Sequence, residues 1–152
     1  MYKKILVPTD GSPTACAAAA FACELLAGGV AGSVTLLVVG SIAKAVKENR
    51  IVNPTPADED MIKAKLRKAA RQVLSQTRRS FEERGVVVEE MLRMDDDPAD
   101  CIAEIARGGG YELIVMGNRG RSPVKELLMG SVSSKVMQIS PCPVVIFAAR
   151  DR

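Results

Sequence analysis

Two stretches of the chain combine residue types suited to binding phosphate. The first is GNRGRSPVKELLMGS, residues 117 to 131, where Gly117 and Gly120 stand three apart and Gly130-Ser131 closes the segment. Arg119, Arg121 and Lys125 lie between them. Glycine permits positive φ and lets a ligand approach the main chain where a Cβ would block it. A helix starting near Ser131 would turn the unpaired amides of residues 130–133 and its positive dipole end toward an anion. The hydroxyls of Ser131 and Ser133 add donors and Arg119 adds a cation, a set that a polyphosphate satisfies at once. The same glycines also suit a chain that merely turns. The second stretch is PTDGS, residues 8 to 12, with Asp10 just past an apolar run. A carboxylate there can accept from sugar hydroxyls or support a Mg2+ bound to phosphates, although Asp is equally at home in a turn. Neither G-x-x-x-x-G-K-[ST] nor G-x-G-x-x-G occurs, so the P-loop and the dinucleotide fingerprint are absent.

Elements that could hold these stretches follow from apolar periodicity. KKILVP (3–8) is too short for a helix and apolar enough for a buried strand. Ser12-Pro13 reads as a cap and first turn, and Gly28-Gly29 as the stop. SVTLLVV (33–39) is a second strand. Residues 40–57 exceed the usual α/β connection of about 2–6 residues and read as a lid, a binding loop or a disordered insertion. Asp58 then caps a long amphipathic helix whose apolar stripe is Ile62, Leu66, Ala69, Val73, Thr77 and Phe81, ended by Gly85. Its basic residues, Lys63, Lys65, Arg67, Lys68, Arg71, Arg78 and Arg79, read as a solvated outer face. A third strand (86–94), a helix after Asp97-Pro98 with Ile102, Ile105 and Ala106 inward, a fourth strand (113–116), a helix from Ser131 to Ile139 and a fifth strand (144–147) complete the pattern. Strands alternating with helices predict a doubly wound α/β fold around a parallel sheet covered on both faces. Such sheets bind ligands outside the carboxyl ends of their strands. That end receives PTDGS, VGS (39–41) and the 117–131 loop.

Length and composition bound the function. At 152 residues, with 47% hydrophobic and 26% charged, the chain predicts a single domain, 1–152, with a proper core. A net charge of +3 and a pI of 8.7 fall short of the clustered footprint of a nucleic-acid binder, which has a pI above about 9, so nucleic acid is not the expected partner. The apolar run after Lys3-Lys4 is too short for a secretory segment, and the Ala-rich stretch 15–22 is too short to span a bilayer. A soluble, cytoplasmic protein is expected. Cysteines 16, 23, 101 and 142 form no C-x-x-C and histidine is absent, so zinc and redox motifs are missing and buried thiols are expected.

The spacing Gly117-x-x-Gly120, nine residues, Gly130-Ser131 resembles the ATP-binding signature of the universal stress protein family, and KILVPTDGS resembles that family's opening. The resemblance runs from Lys3 through PCPVVIF. It implies a Rossmann-like five-stranded parallel sheet of strand order 3-2-1-4-5, helices on both faces, and a nucleotide-dependent regulatory protein of the stress response. It implies further that Pro8, Thr9, Asp10 and Val39 hold the nucleoside of ATP, with Mg2+ on the phosphates supported indirectly by Asp10. Met116, Gly117, Arg119, Gly120, Gly130, Ser131, Val132 and Ser133 would cradle the phosphates. In that strand order the apolar segment 143–149 lies at a sheet edge, which invites pairing with a second copy. The triplet Asp95-Asp96-Asp97 stands where similar proteins often carry glycine.

Two rivals share the pattern. A phosphorylated receiver domain would need a lysine after strand five and a final helix, neither of which follows Phe147. A nucleotide-independent interaction module of the same fold would not need the glycine motif. Turnover is a separate matter, because phosphoryl transfer needs a group to orient the attacking water. Glu126 is the single carboxylate in the 117–131 segment, so the residues point to binding ahead of hydrolysis.

Overall fold

Ile5, Leu6 and Val7 are fully inaccessible to solvent, and alternate side chains enter two different halves of the core. A strand with both faces covered accounts for such an unbroken apolar run. The computed structural model describes residues 1–118 and 129–148. Its elements are β1 (Tyr2–Pro8), α1 (Pro13–Ala27), β2 (Ala31–Gly40), α2 (Ile42–Glu48), α3 (Pro56–Thr77), α4 (Arg79–Glu83), β3 (Glu89–Met94), α5 (Pro98–Gly108), β4 (Leu113–Gly117), α6 (Ser131–Ile139) and β5 (Val144–Phe147). All five strands pair in parallel, in the order β3-β2-β1-β4-β5, which is the order the family resemblance implies.

One half of the core joins Val7, Leu36 and Val115 to Ala19 of α1, Leu74 of α3 and Phe81 of α4. The other joins Leu6, Leu37 and Ile114 to Ile102 and Ala106 of α5 and Val136 of α6. α1 turns Ala15, Ala18, Ala19, Ala22 and Cys23 inward, and so small a face lets the helix lie close to the sheet. Its start follows the sequence: Ser12 accepts from Ala15 N and Pro13 opens the first turn. Cys23 and Cys101 are buried, which pushes both thiols up, while Cys16 and Cys142 are half-buried; none of the four is in a disulfide.

Several expectations need correction. Residues 40–57 hold a helix, α2, packed on α3. Ser41 caps it by accepting from Lys44 N, and the Asp96 carboxylate accepts from Ser41 Oγ and Ala43 N, both at 3.0 Å. The cap of α3 is Thr55, not Asp58. Asp58 is the third residue of a capping box, in which Thr55 Oγ1 accepts from Asp58 N at 3.2 Å and Asp58 Oδ2 accepts from Thr55 N at 2.9 Å. That pairing holds the Asp58 carboxyl below its ordinary range. α3 ends at Thr77 rather than near Gly85, with α4 following after Arg78. Along α3, Ala70 and Leu74 are buried whereas Ala69 is exposed, so the stripe runs one residue later than expected there. β3 begins at Glu89, not at residue 86.

The acidic triplet resolves into three local roles. Asp95 Oδ1 accepts from Asp97 N at 2.8 Å, Asp96 braces α2, and Asp97 caps α5 by accepting from Asp100 N. Asp97 also pairs across to α6, where Lys135 Nζ lies 2.6 Å from Asp97 Oδ2 and 3.2 Å from Asp100 Oδ2. The Lys135 ammonium, helped by the Asp100 amide, holds the Asp97 carboxyl below its usual range. The two carboxylates, Asp97 first, push Lys135 up.

Two outcomes follow. Thr55→Ala removes the hydroxyl half of the α3 capping box and should cost about 1 kcal/mol in urea denaturation. For Lys135→Met, the loss of stability relative to wild type should be greatest between about pH 5 and 10. The depressed Asp97 contributes stability above its unfolded pKa and loses it as pH falls through the folded value. The raised Lys135 contributes below its unfolded pKa and loses it as pH rises through the folded value. Both side chains are more than 40% exposed, so the gap is small. A gap that does not change with pH would assign the effect to the lysine's aliphatic stem.

Candidate functional site

The strand order reverses between β1 and β4, and the chain leaves the carboxyl ends of both strands there. Open α/β sheets place ligands at such a point. The two exits are held together by a close approach. A side chain at Gly117, the last residue of β4, would put its Cβ against the Thr14 hydroxyl and 2.9 Å from Ala15 N in the first turn of α1. Packing alone therefore requires glycine at 117.

Thr9, Asp10 and Gly11 make a tight connection from β1 into α1. Thr9 N donates to Leu37 O at 2.8 Å, which ties the loop to β2. Thr77 Oγ1 spends its proton on Val73 O at 2.7 Å, so in the 3.0 Å contact between the two threonine hydroxyls it is Thr9 that donates. Thr9 Oγ1 in turn accepts from Gly11 N at 3.1 Å. The Thr9 side chain is thus engaged inside the protein and leaves its main chain for any ligand. Gly11 has φ +78°, the positive φ that the sequence reading assigned to the later glycine loop. Asp10 Oδ1 accepts from Ser12 N at 2.9 Å, while Oδ2 has no donor among the described residues.

On the far side, Asn118 organises the start of α6. Its N–H donates to Phe147 O at 2.8 Å, and its carbonyl accepts from Gly130 N at 2.6 Å and from Ser133 Oγ at 2.7 Å. Gly130 is in extended conformation, φ −72° and ψ 162°, which any residue adopts. The first intrahelical bond of α6 runs from Ser134 N to Gly130 O. The amides of Ser131, Val132 and Ser133 precede it and have no acceptor within the helix. Ser131 is exposed at this end. The Ser133 hydroxyl, expected as a phosphate donor, is buried and donates inward, so only its amide belongs to the open set.

Val39, Met116 and Val132 pack into the α5/α6 half of the core, which draws together the ends of β2 and β4 and the start of α6. Met116 is buried and can present only its main chain to a ligand. Pro8 is buried at the end of β1, in register with Leu37. Arg119 and Gly120 lie outside the described residues. Asp10, the β1 loop, the end of β2 and the α6 amides thus share one end of the sheet, with a carboxylate on one side and a helix N-terminus on the other. Among the described residues no three His, Cys, Asp or Glu gather as metal ligands, and no helix is long and apolar enough to cross a membrane. Sequence reasoning missed Thr77 and Asn118. The only cue to Asn118 was its place beside Gly117, because its work is done by main-chain atoms.

A sequence model of the universal stress protein family matches residues 1–148. Universal stress protein YxiE of Bacillus subtilis is 35% identical over 148 residues, 96% of this chain and 99% of YxiE. The solved structure of MJ0577, a universal stress protein of Methanocaldococcus jannaschii, is similar at a TM-score of 0.79 and 30% identity, covering 100% of this chain and 99% of that one. A universal stress protein family protein of Arabidopsis thaliana, solved with AMP bound, has the same fold at a TM-score of 0.64 and 17% identity, over 95% of this chain and 90% of its own. With the match running from β1 through β5 and the sheet in the order that goes with it, the chain belongs to the universal stress protein family.

Proposed function

We propose that residues 1–152 form a single-domain, cytoplasmic, ATP-binding regulatory protein of the stress response, which senses or carries the nucleotide and hydrolyses it slowly at most. The observation that carries this reading is the set of α6 amides without helical acceptors, 131–133, facing the same sheet end as Asp10. A polyphosphate supplies the acceptors those amides lack, favoured by the helix dipole. The phosphates would lie along Gly117, Arg119, Gly120, Gly130, Ser131 and Val132, with Met116 and Ser133 contributing main chain only. The nucleoside would sit by Pro8, Thr9, Asp10 and Val39. The AMP-bound Arabidopsis relative supports an adenine base.

Asp10 Oδ2, without a donor among the described residues, suits either a ribose hydroxyl or a water of a Mg2+ held by the phosphates. With no further acidic ligand gathered among the described residues, Mg2+ fits as part of the nucleotide rather than as a resident ion. Asp10 is the carboxylate at the β1 exit, and its Oδ1 is turned toward its own loop. That favours binding over turnover. A nucleotide-independent interaction module is supported by one observation: Gly117 and Ser133 are both accounted for by internal packing.

Two chains joined through segment 143–149 complete the proposal. Ile114 N donates to Pro143 O and Asn118 N to Phe147 O, so the alternate residues Val144 and Ile146 turn their main-chain groups to the outer edge of β5. An unpaired edge of this kind recruits another strand, and a twofold contact is the commonest outcome.

Titration calorimetry should show ATP bound well ahead of GTP, with ATP recovered from denatured, freshly purified protein. Asp10→Asn should lower affinity while leaving the ligand-free melting temperature nearly unchanged, and Gly130→Val should cost at least ~2 kcal/mol of binding. Because Gly130 has ordinary φ, that loss would come from blocked phosphate approach and not from backbone strain. Equal ATP and GTP affinities, or a folded Gly130→Val that binds normally, would defeat the assignment. Light scattering should give about twice the 16.2 kDa chain mass. Ile146→Pro removes an outward N–H at an edge that tolerates proline and should shift the mass to that of a folded monomer. A wild-type monomer at tens of micromolar would refute the dimer.

A further inference from the structure

The outer face of α3 has a charge pattern that an ordinary solvated helix does not need. Between Met61 and Phe81 there are seven cations, Lys63, Lys65, Arg67, Lys68, Arg71, Arg78 and Arg79, and no acid. Arg78 is paired, at 2.7 Å with Glu82 and 2.8 Å with Glu90. The other six form no ion pair among the described residues. A helix that only needs solubility places acids three or four residues from its cations. Here Glu59 and Asp60 stand so only for Lys63, and Lys65, Arg67, Lys68 and Arg71 have no acid at that spacing.

At 100° per residue, Lys65, Lys68, Arg71, Gln72, Ser75 and Gln76 fall within an arc of roughly 140°, and all are exposed. Lys68, Arg71, Gln72, Ser75, Gln76 and Arg79 line one shallow, open depression on that face. The other exposed residues of the arc are Ala64 and, at its N-terminal end, Ala57 and Met61. A protein partner would want an apolar core to its interface, a single strand of nucleic acid would want aromatic platforms, and a lipid surface would want apolar side chains to insert. Met61 lies beyond the N-terminal end of the depression, and the depression itself offers none of these. Lysine, arginine, glutamine and serine on a straight rod are what phosphate and sugar contacts to a rigid duplex use.

From this we infer that the outer face of α3 is a docking surface for the phosphodiester backbone of duplex nucleic acid, bound without sequence preference through Lys65, Lys68, Arg71 and Arg79. It stands independently of the nucleotide reading, since it uses no residue of the β1/β4 switch point. The chain-wide pI of 8.7 hides it because these cations are concentrated within residues 61–81, along α3 and into the start of α4.

The test is fluorescence anisotropy of a labelled 20-base-pair duplex of mixed sequence titrated with the whole chain. Four phosphate contacts give a slope of log affinity against log salt of about −3.6, so binding should weaken roughly 150-fold between 50 and 200 mM salt. The triple variant Lys68→Glu, Arg71→Glu, Arg79→Glu should lose at least ~30-fold at 50 mM and flatten the slope to about −1. A control of equal charge change, Lys44→Glu, Lys47→Glu, Arg107→Glu, should stay within about threefold of wild type, as expected if local contacts dominate. Circular dichroism checks both for folding. If the reversed triple does not fold, the glutamine triple at the same positions is read by the same slope. Equal losses in the two sets, a salt slope near zero, or tighter binding to polyglutamate or to phosphatidylserine vesicles of matched charge would overturn the inference.

Discussion

No side chain fits at position 117, and the arrangement of the candidate site depends on that. With hydrogen as its only substituent, Gly117 lets the end of β4 meet the first turn of α1, where even a Cβ would strike Thr14 and Ala15. Because α1 presents an alanine face to the sheet, helix and strand close at this point instead of being held apart by larger side chains. The exits of β1 and β4 are thereby brought to one place, and strand order reverses across them. From there Asn118 fixes the rest, bonded through its main chain to the end of β5 and to the start of α6.

The polar groups around this point divide into those that hold the frame and those left open. The hydroxyls of Thr9, Thr77 and Ser133 all find partners inside the protein. Buried hydroxyls left unmade would cost about 1–3 kcal/mol each, so their inward orientation is what the interior demands. Among the described residues, what stays open is main chain at the start of α6 and one oxygen of Asp10. A site built mostly from amides tolerates substitution of the side chains around it, provided the loop geometry survives. Amides of this kind can meet an anion without a gathering of lysines or arginines.

How much of this was legible in the sequence depended on the range of the interaction. Ser12-Pro13 and the apolar runs act over a few residues, so the strands, the starts of α1, α5 and α6 and the doubly wound class could be read directly. The α3 cap was misplaced by three residues because Thr55 and Asp58 are both good cap residues, and only their reciprocal bonding assigns the roles. α2 went unread because much of what secures its start comes from Asp96, more than fifty residues away in sequence. The Lys135 pairing with Asp97 was invisible for the same reason. At the candidate site, the described glycines serve other purposes than the glycine pattern suggested. Gly117 serves packing, Gly130 has ordinary φ, and the positive φ belongs to Gly11.

Averaging conceals charge in the same way that it conceals long-range contacts. The net +3 suggests a nearly neutral body, yet residues 61–81 hold seven of the chain's 21 cations and none of its 18 acids. The remainder of the chain therefore sets 14 cations against 18 acids, a mildly anionic body bearing one cationic segment along α3 and into α4. Such a molecule meets a large polyanion in a preferred orientation, since most of its surface repels what α3 attracts, and this effect weakens with salt. A small nucleotide is governed differently, because amides and a helix dipole act at contact distance and need no net charge. On the two proposals, the two kinds of anion would be separated by the physics that binds them, one by the long-range field of a helix face and the other by the short-range geometry of a helix end.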